Sequence, residues 1–127
     1  MTFKRHELKI AKKLARKQIT RATSKFVRAC PDKVRLAANM VKGKSAETAI
    51  AMLRISPSQN CKRLLQVLMS AVQNAEKKNK DVDLLVVDKI FVDRGPMLKR
   101  MHPVSHGMAK PILKRMCHIT VIVEEKL

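Results

Sequence analysis

The side chains able to do covalent or metal chemistry in this chain are four histidines (His6, His102, His106, His118), three cysteines (Cys30, Cys61, Cys117) and ten acids. None falls in a spacing that a reaction needs. A zinc-binding helix would place two His four residues apart with a Glu between them. A nucleotide cradle would need glycines ahead of a Lys, and neither pattern occurs. Cys117-His118 is an adjacent nucleophile and base, but in an extended segment neighbouring side chains point to opposite faces and do not meet. The cysteines are odd in number and widely spaced, with no CxxC pair and no secretory signal peptide ahead of them, which points to a reducing compartment. Cys30 and Cys61 read as small core residues. No metal, no cofactor and no catalysis are expected.

Cationic chemistry, by contrast, is abundant. Twenty-eight Lys and Arg against ten Asp and Glu give a formal charge of +18 over 127 residues. Such a chain repels itself and is neutralised by a polyanion, most naturally a nucleic acid. Apolar residues make up 46% of the sequence, enough for one folded core and too many for a disordered basic tail. There is no Trp or Tyr, and only Phe3, Phe26 and Phe91 could stack on unpaired bases. Structured RNA, read by shape and phosphate, fits this composition better than a single strand. No apolar run approaches the ~20 residues that span a bilayer, so a soluble protein without membrane insertion is expected.

The elements that must position these cations follow from periodicity. Residues 1–28 hold ten Lys or Arg and one acid, Glu7, a charge of +9. They read as a nucleic-acid arm. Leu8, Ala11, Leu14 and Ala15 fall at helical spacing among Lys9, Lys12, Lys13, Arg16 and Lys17, the pattern of a basic amphipathic helix with a thin apolar face. A solvated arm ordered by its partner, and a membrane-surface or organelle-targeting helix, are the other readings open here. A first strand is expected from about Ile19 to Val27. Cys30-Pro31-Asp32 starts a helix that runs to about Val41, with Val34, Ala37, Ala38 and Val41 on one face and Gly43 at its stop. Ser45 caps a second helix with Ala46, Ala49, Ile50 and Leu53 as its stripe, ended by Ser56-Pro57. A third and longest helix begins near Ser58, its stripe being Cys61, Leu64, Leu65, Leu68, Ala71, Val72 and Ala75. Two strands complete the set: Leu84 to Val92, and the alternating Ile119, Val121 and Val123.

Between Asp93 and Glu124 there is not one acidic residue, although Arg94, Lys99, Arg100, Lys110, Lys114 and Arg115 lie there. A single loop of this length is uncommon in a small domain, and Gly95-Pro96, Pro103, Gly107 and Pro111 break any helix. The pattern predicts a β-hairpin running beyond the body and turning near Pro103 to Gly107, with a reach of ~30 Å at ten residues a side. Such a ribbon is marginal alone in water and needs something to hold it. A DNA-binding helix-turn-helix around Gly43 is the competing class, but its second helix offers mainly Ala, Ile, Met and Leu beside Glu47, few groups able to read base edges.

Four segments carry a family resemblance: KVRLAANMVKGKSAETAIAML (Lys33 to Leu53), SAVQNAEKK (Ser70 to Lys78), VDRGPMLKR (Val92 to Arg100) and KRMCHITVIVEE (Lys114 to Glu125). Together they closely resemble the bacterial form of large-subunit ribosomal protein twenty-two, over about residues 20 to 125 in order. The resemblance implies an α+β body, three helices on a three-stranded antiparallel sheet, with a long protruding hairpin over about 93–118. Residues 1–18 are then a basic extension and 19–127 a single domain. It implies a structural constituent of the large subunit that binds large-subunit ribosomal RNA, aids assembly, neighbours other ribosomal proteins and lines the peptide exit tunnel. The ribosome would be cytoplasmic, with an organelle matrix or stroma as the alternative.

Lys33, Arg35 and Lys42 match basic positions of the family's first helical motif, Lys99 and Arg100 its first hairpin strand, and Lys114 and Arg115 the returning strand, which implies RNA contacts there. Arg21, Lys25, Arg28 and Lys44 in the body and Arg94 and Lys110 on the hairpin are expected to join them. The tip, Pro103, Val104, Ser105, His106, Gly107 and Met108, would meet the nascent peptide. Relatives usually show Pro-Arg-Ala-Arg/Lys-Gly-Arg-Ala there, whereas this chain has PVSHGMA (Pro103 to Ala109), with Val104, His106 and Met108 at usually basic positions. Few phosphate contacts are expected at the tip.

Overall fold

The structure, a computed structural model, describes residues 5, 7–12 and 19–126. Lys13, Leu14, Ala15, Arg16 and Lys17, on which much of the reading of the basic arm rests, lie outside them, as do Phe3 and His6. Residues 7–12 are helical, and Leu8 and Ile10 are exposed there. The described fold therefore has four α-helical segments, three in the body and one in the basic arm.

Strand β1 (Thr20–Val27) leads through Cys30 into α1 (Pro31–Val41), where Pro31 sits in the first turn and Asp32 near the positive end of the helix. Gly43 ends the connection with φ +79°, a left-handed conformation that an L side chain enters only under strain. The Gly43 N–H donates to the Val87 carbonyl (2.8 Å) and the Val87 N–H to the Lys44 carbonyl (2.9 Å), fastening this turn to the sheet edge. Ser45 caps α2 (Ala46–Ile55), its hydroxyl accepting from the Thr48 N–H. Helix α3 (Gln59–Glu76) follows after Pro57 and gives way to a left-handed residue at Asn79 (φ 56°).

A short 3-10 turn (Val82–Leu84) then feeds β2 (Leu85–Arg94). After the hairpin strands β3 (Leu98–Pro103) and β4 (Ala109–Lys114) the chain returns as β5 (Cys117–Glu125). The last strand is the middle one. β5 pairs antiparallel with β1 on one side and β2 on the other, while β3 and β4 form a separate two-stranded sheet. The fold is α+β, with antiparallel sheets of three and two strands.

The core lies between the three-stranded sheet and the helices. Cys117, Ile119, Val121 and Val123 alternate along β5 and are fully buried, against Leu85, Val87 and Val92 of β2 and Ala22 of β1. From the other side come Val34, Ala37, Ala38 and Val41 of α1, Ala46, Ala49 and Leu53 of α2, and the stripe of α3. Val67 is buried where the stripe predicted Leu65, which is only partly so. The reason is that α3 packs on β1 and β5 as well as on both other helices, so its covered arc is wider than one seam.

Candidate nucleic-acid interface

The hairpin stands clear of the core: all twelve residues of β3 and β4 are open to solvent. Six paired residues a side give a ladder of about 20 Å, shorter than the ten a side expected. At its root the Gly95 N–H donates to the Met116 carbonyl (2.9 Å). A Cβ at Gly95 would lie 3.2 Å from the Met116 carbonyl carbon and oxygen, so any side chain there would push the Met116 backbone back by a few tenths of an ångström. The Arg28 guanidinium, from the end of β1, donates to the Arg115 carbonyl at 2.7 Å and ties the returning strand to the body. At the tip the Val104 N–H donates to the Met108 carbonyl (2.9 Å), and His106 and Gly107 both take positive φ to close the turn.

The ladder register decides which cations act together. Residues directly opposite in an antiparallel pair project from the same face. Leu98 faces Lys114, Arg100 faces Ile112 and His102 faces Lys110. Between them stand Lys99 opposite Leu113, Met101 opposite Pro111 and Pro103 opposite Ala109. One face of the ribbon thus carries Arg100, Lys110, Lys114 and His102. The other carries Lys99 alone among Met101, Leu113, Pro103, Pro111 and Ala109. Spacing within either strand does not reveal this division, because it depends on how the two strands are aligned.

Of the body residues expected to meet RNA, Arg21, Lys25, Arg28, Lys33, Lys42 and Lys44 are exposed, as are Arg94 and Arg115 at the hairpin root. Arg35 differs. Its guanidinium donates to Asp32 (2.8 Å) and to the Val92 carbonyl (3.0 Å), tying α1 to β2. Those two bonds hold it in place while its side chain stays 43% exposed, and Asp32, read as a helix-start residue, is its ion-pair partner.

The sheet face away from the helices brings together two residues whose contact the sequence does not announce. His118 lies on it, and its Nδ1 accepts a hydrogen bond from the Phe26 N–H (3.0 Å). The Phe26 ring meets the His118 ring edge to face, with centroids 5.0 Å apart. Cys117 points the other way into the core, where burial raises its thiol pKa against the lowering effect of Arg63. The nucleophile and base of the Cys117-His118 pair are therefore on opposite sides of the sheet. Among the described residues, no three His, Cys, Asp or Glu side chains gather as a metal site, and no helix is long and apolar enough to cross a membrane.

The family model for ribosomal protein L22p/L17e matches residues 22–124. The chain belongs to that family. Its role is therefore that of a structural, non-enzymatic ribosomal protein. Among similar proteins, the large ribosomal subunit protein uL22 of Desulfosudis oleivorans is 47% identical over 105 residues, 83% of this chain and 92% of its own length. The uL22 of Syntrophobacter fumaroxidans is 47% identical over 107 residues, 84% of this chain and 97% of its own. That of Treponema denticola is 47% identical over 108 residues, again 84% of this chain. All three are bacterial proteins, which gives the organellar alternative no support.

Proposed function

We propose that this chain is a structural constituent of the large ribosomal subunit that binds large-subunit ribosomal RNA, aids its folding into the particle and lines the peptide exit tunnel with its hairpin. The observation that carries this reading is the two-faced, fully exposed ribbon. A two-stranded sheet with no cover is marginal in water, and polyanion packed against Arg100, Lys110 and Lys114 would hold it. The +18 charge supplies the general attraction to RNA, and the relatives' names, large ribosomal subunit proteins, support large-subunit RNA as that partner. Lys33, Lys42 and Lys44 around α1, with Arg21, Lys25 and Arg28 along β1 and beyond, would make the body contacts. Neighbouring ribosomal proteins and, at Pro103 to Met108, the nascent peptide are the remaining partners. The setting is the ribosome in the cytoplasm.

The test is residence and depth. The protein should co-sediment with large subunits through high-salt sucrose, and a photo-cross-linker at Lys99 should join it to large-subunit RNA. Tighter binding to random duplex DNA than to large-subunit RNA fragments at matched salt would sink this reading.

A further inference from the structure

Beyond a row formed by Val86 and the exposed acid Glu124, the sheet face that the helices leave uncovered carries three rows of side chains, read from the strand registers. Arg21, Ile122 and Lys89 form the first row, Thr23, Thr120 and Phe91 the second, and His118 stands opposite Asp93 in the third. Phe26 joins that third row through the irregularity in β1, its ring set edge to face against His118. Two of the three aromatic rings of the whole sequence thus fall on one open face, Phe26 61% exposed and Phe91 47% exposed.

Phe26 is held there against its backbone preference. Its φ is +56°, a region that bulky residues rarely enter. The conformation is fixed by the N–H donated to His118 Nδ1. Because that nitrogen accepts, the proton of the neutral ring is on Nε2, and His118 offers a preset N–H donor. Asp93, across the strand from it, brings a carboxylate acceptor. A donor and an acceptor beside exposed rings match the edge of a nucleobase. A phosphate, which only accepts hydrogen bonds, would be repelled by Asp93. The cations Arg21 and Lys89, the second with its Nζ 3.8 Å from the Asp88 carboxylate, lie one or two rows away, at about 7 Å per row, where the backbone of a bound strand would pass.

We propose that the open face of the three-stranded sheet is a seat for an unpaired RNA base, stacked on Phe91 or Phe26, with His118 and Asp93 at its edge and Arg21 and Lys89 on its backbone. The seat rests on the ribosomal RNA reading and gives it a second mode, stacking in the body beside phosphate contact on the hairpin. Stacking on one ring contributes a factor of about 5 to about 140 in affinity.

Binding of the full chain to a labelled single-stranded RNA octamer and to a blunt RNA duplex, at matched salt, tests it. Phe91→Leu and Phe26→Leu keep apolar bulk, and the second leaves the backbone strain as it is, so thermal melts should match those of the parent. One or both variants should lose the octamer by a factor within that range and keep the duplex. In parallel, the unaltered chain is irradiated with a 4-thiouridine octamer, and the cross-linked peptide should contain Phe91 or Phe26. Unchanged octamer affinity in both variants, or a cross-link confined to the hairpin, overturns the base seat while leaving duplex binding intact. Binding to neither RNA overturns the ribosomal RNA reading as well. A photoreactive phenylalanine at position 91 in purified large subunits should cross-link to RNA, and a cross-link to a protein instead overturns the seat.

Discussion

The division of charge between the two faces of the hairpin has a measurable size. Replacing Arg100, Lys110 and Lys114 together by Gln removes the cations of one face and leaves Lys99 on the other. Each duplex phosphate neutralised contributes about 0.9 to the slope of log affinity against log salt, and each single-strand phosphate about 0.7. If all three side chains reach phosphates, the slope becomes shallower by about 2.7 on duplex or about 2.1 on single strand. Between 50 and 200 mM salt, a duplex slope change of that size alters the relative affinity of variant and parent about 40-fold. All three positions are exposed strand residues, and surface substitutions of this kind cost within about 0.5 kcal/mol, so the helical signal and the unfolding midpoint should hold. Titration of a large-subunit RNA fragment by fluorescence anisotropy at stepped KCl concentrations reads the slope directly. Met101→Gln with Leu113→Gln, on the opposite face, is the matched control and should leave the slope alone. A triple variant whose slope moves no further than that of the control would refute the two-faced reading.

Other outcomes follow from the packing. Gly95→Ala forces a Cβ against the Met116 backbone, so the hairpin root must shift, and amide exchange at positions 95 and 104 should quicken while that of α3 does not. Leu64→Ala, at a fully buried position on α3, should cost about 2–5 kcal/mol in urea unfolding, the range for emptying a packed Leu site. Of the thiols, Cys30 should react with a disulfide reagent in the native protein, whereas buried Cys61 and Cys117 should react only on unfolding. Burial raises the Cys117 pKa above its ordinary 9.0, so the folded state keeps that proton longer than the unfolded one. Its contribution is complete below pH 9 and is lost as pH rises beyond it, and Cys117→Ser should flatten that alkaline decline in denaturant midpoint.

Local pattern made much of this fold legible. The stripes of α1 and α2 matched the buried faces closely, because each is covered along one seam, which α3 and the sheet share. Ser45, Pro31 and Gly43 marked the helix ends through chemistry confined to a few residues. The long stretch without acids between Asp93 and Glu124, broken by Gly and Pro, marked a protruding hairpin. What stayed hidden depends on contacts distant in sequence. That β5 is central, that Arg35 turns to the Val92 carbonyl, and that Phe26 meets His118 across 92 positions are properties of pairing. For the same reason a count of three Phe argued against stacking, while the fold set two of them on one face.

Ladder alignment also limits how the hairpin can change in length. Between the pair Arg94 and Cys117 and the pair Leu98 and Lys114, three residues on the outgoing strand oppose two on the return. Gly95 to Met116 at the root and Val104 to Met108 at the tip lock that offset from both ends. A single inserted or deleted residue in one strand would invert its side chains beyond that point, setting Lys against Met and Arg against Pro across the ribbon. Two residues added to each strand would preserve the faces and extend the reach by about 7 Å. Length in this ribbon is quantised, and it changes by whole steps of the pleat.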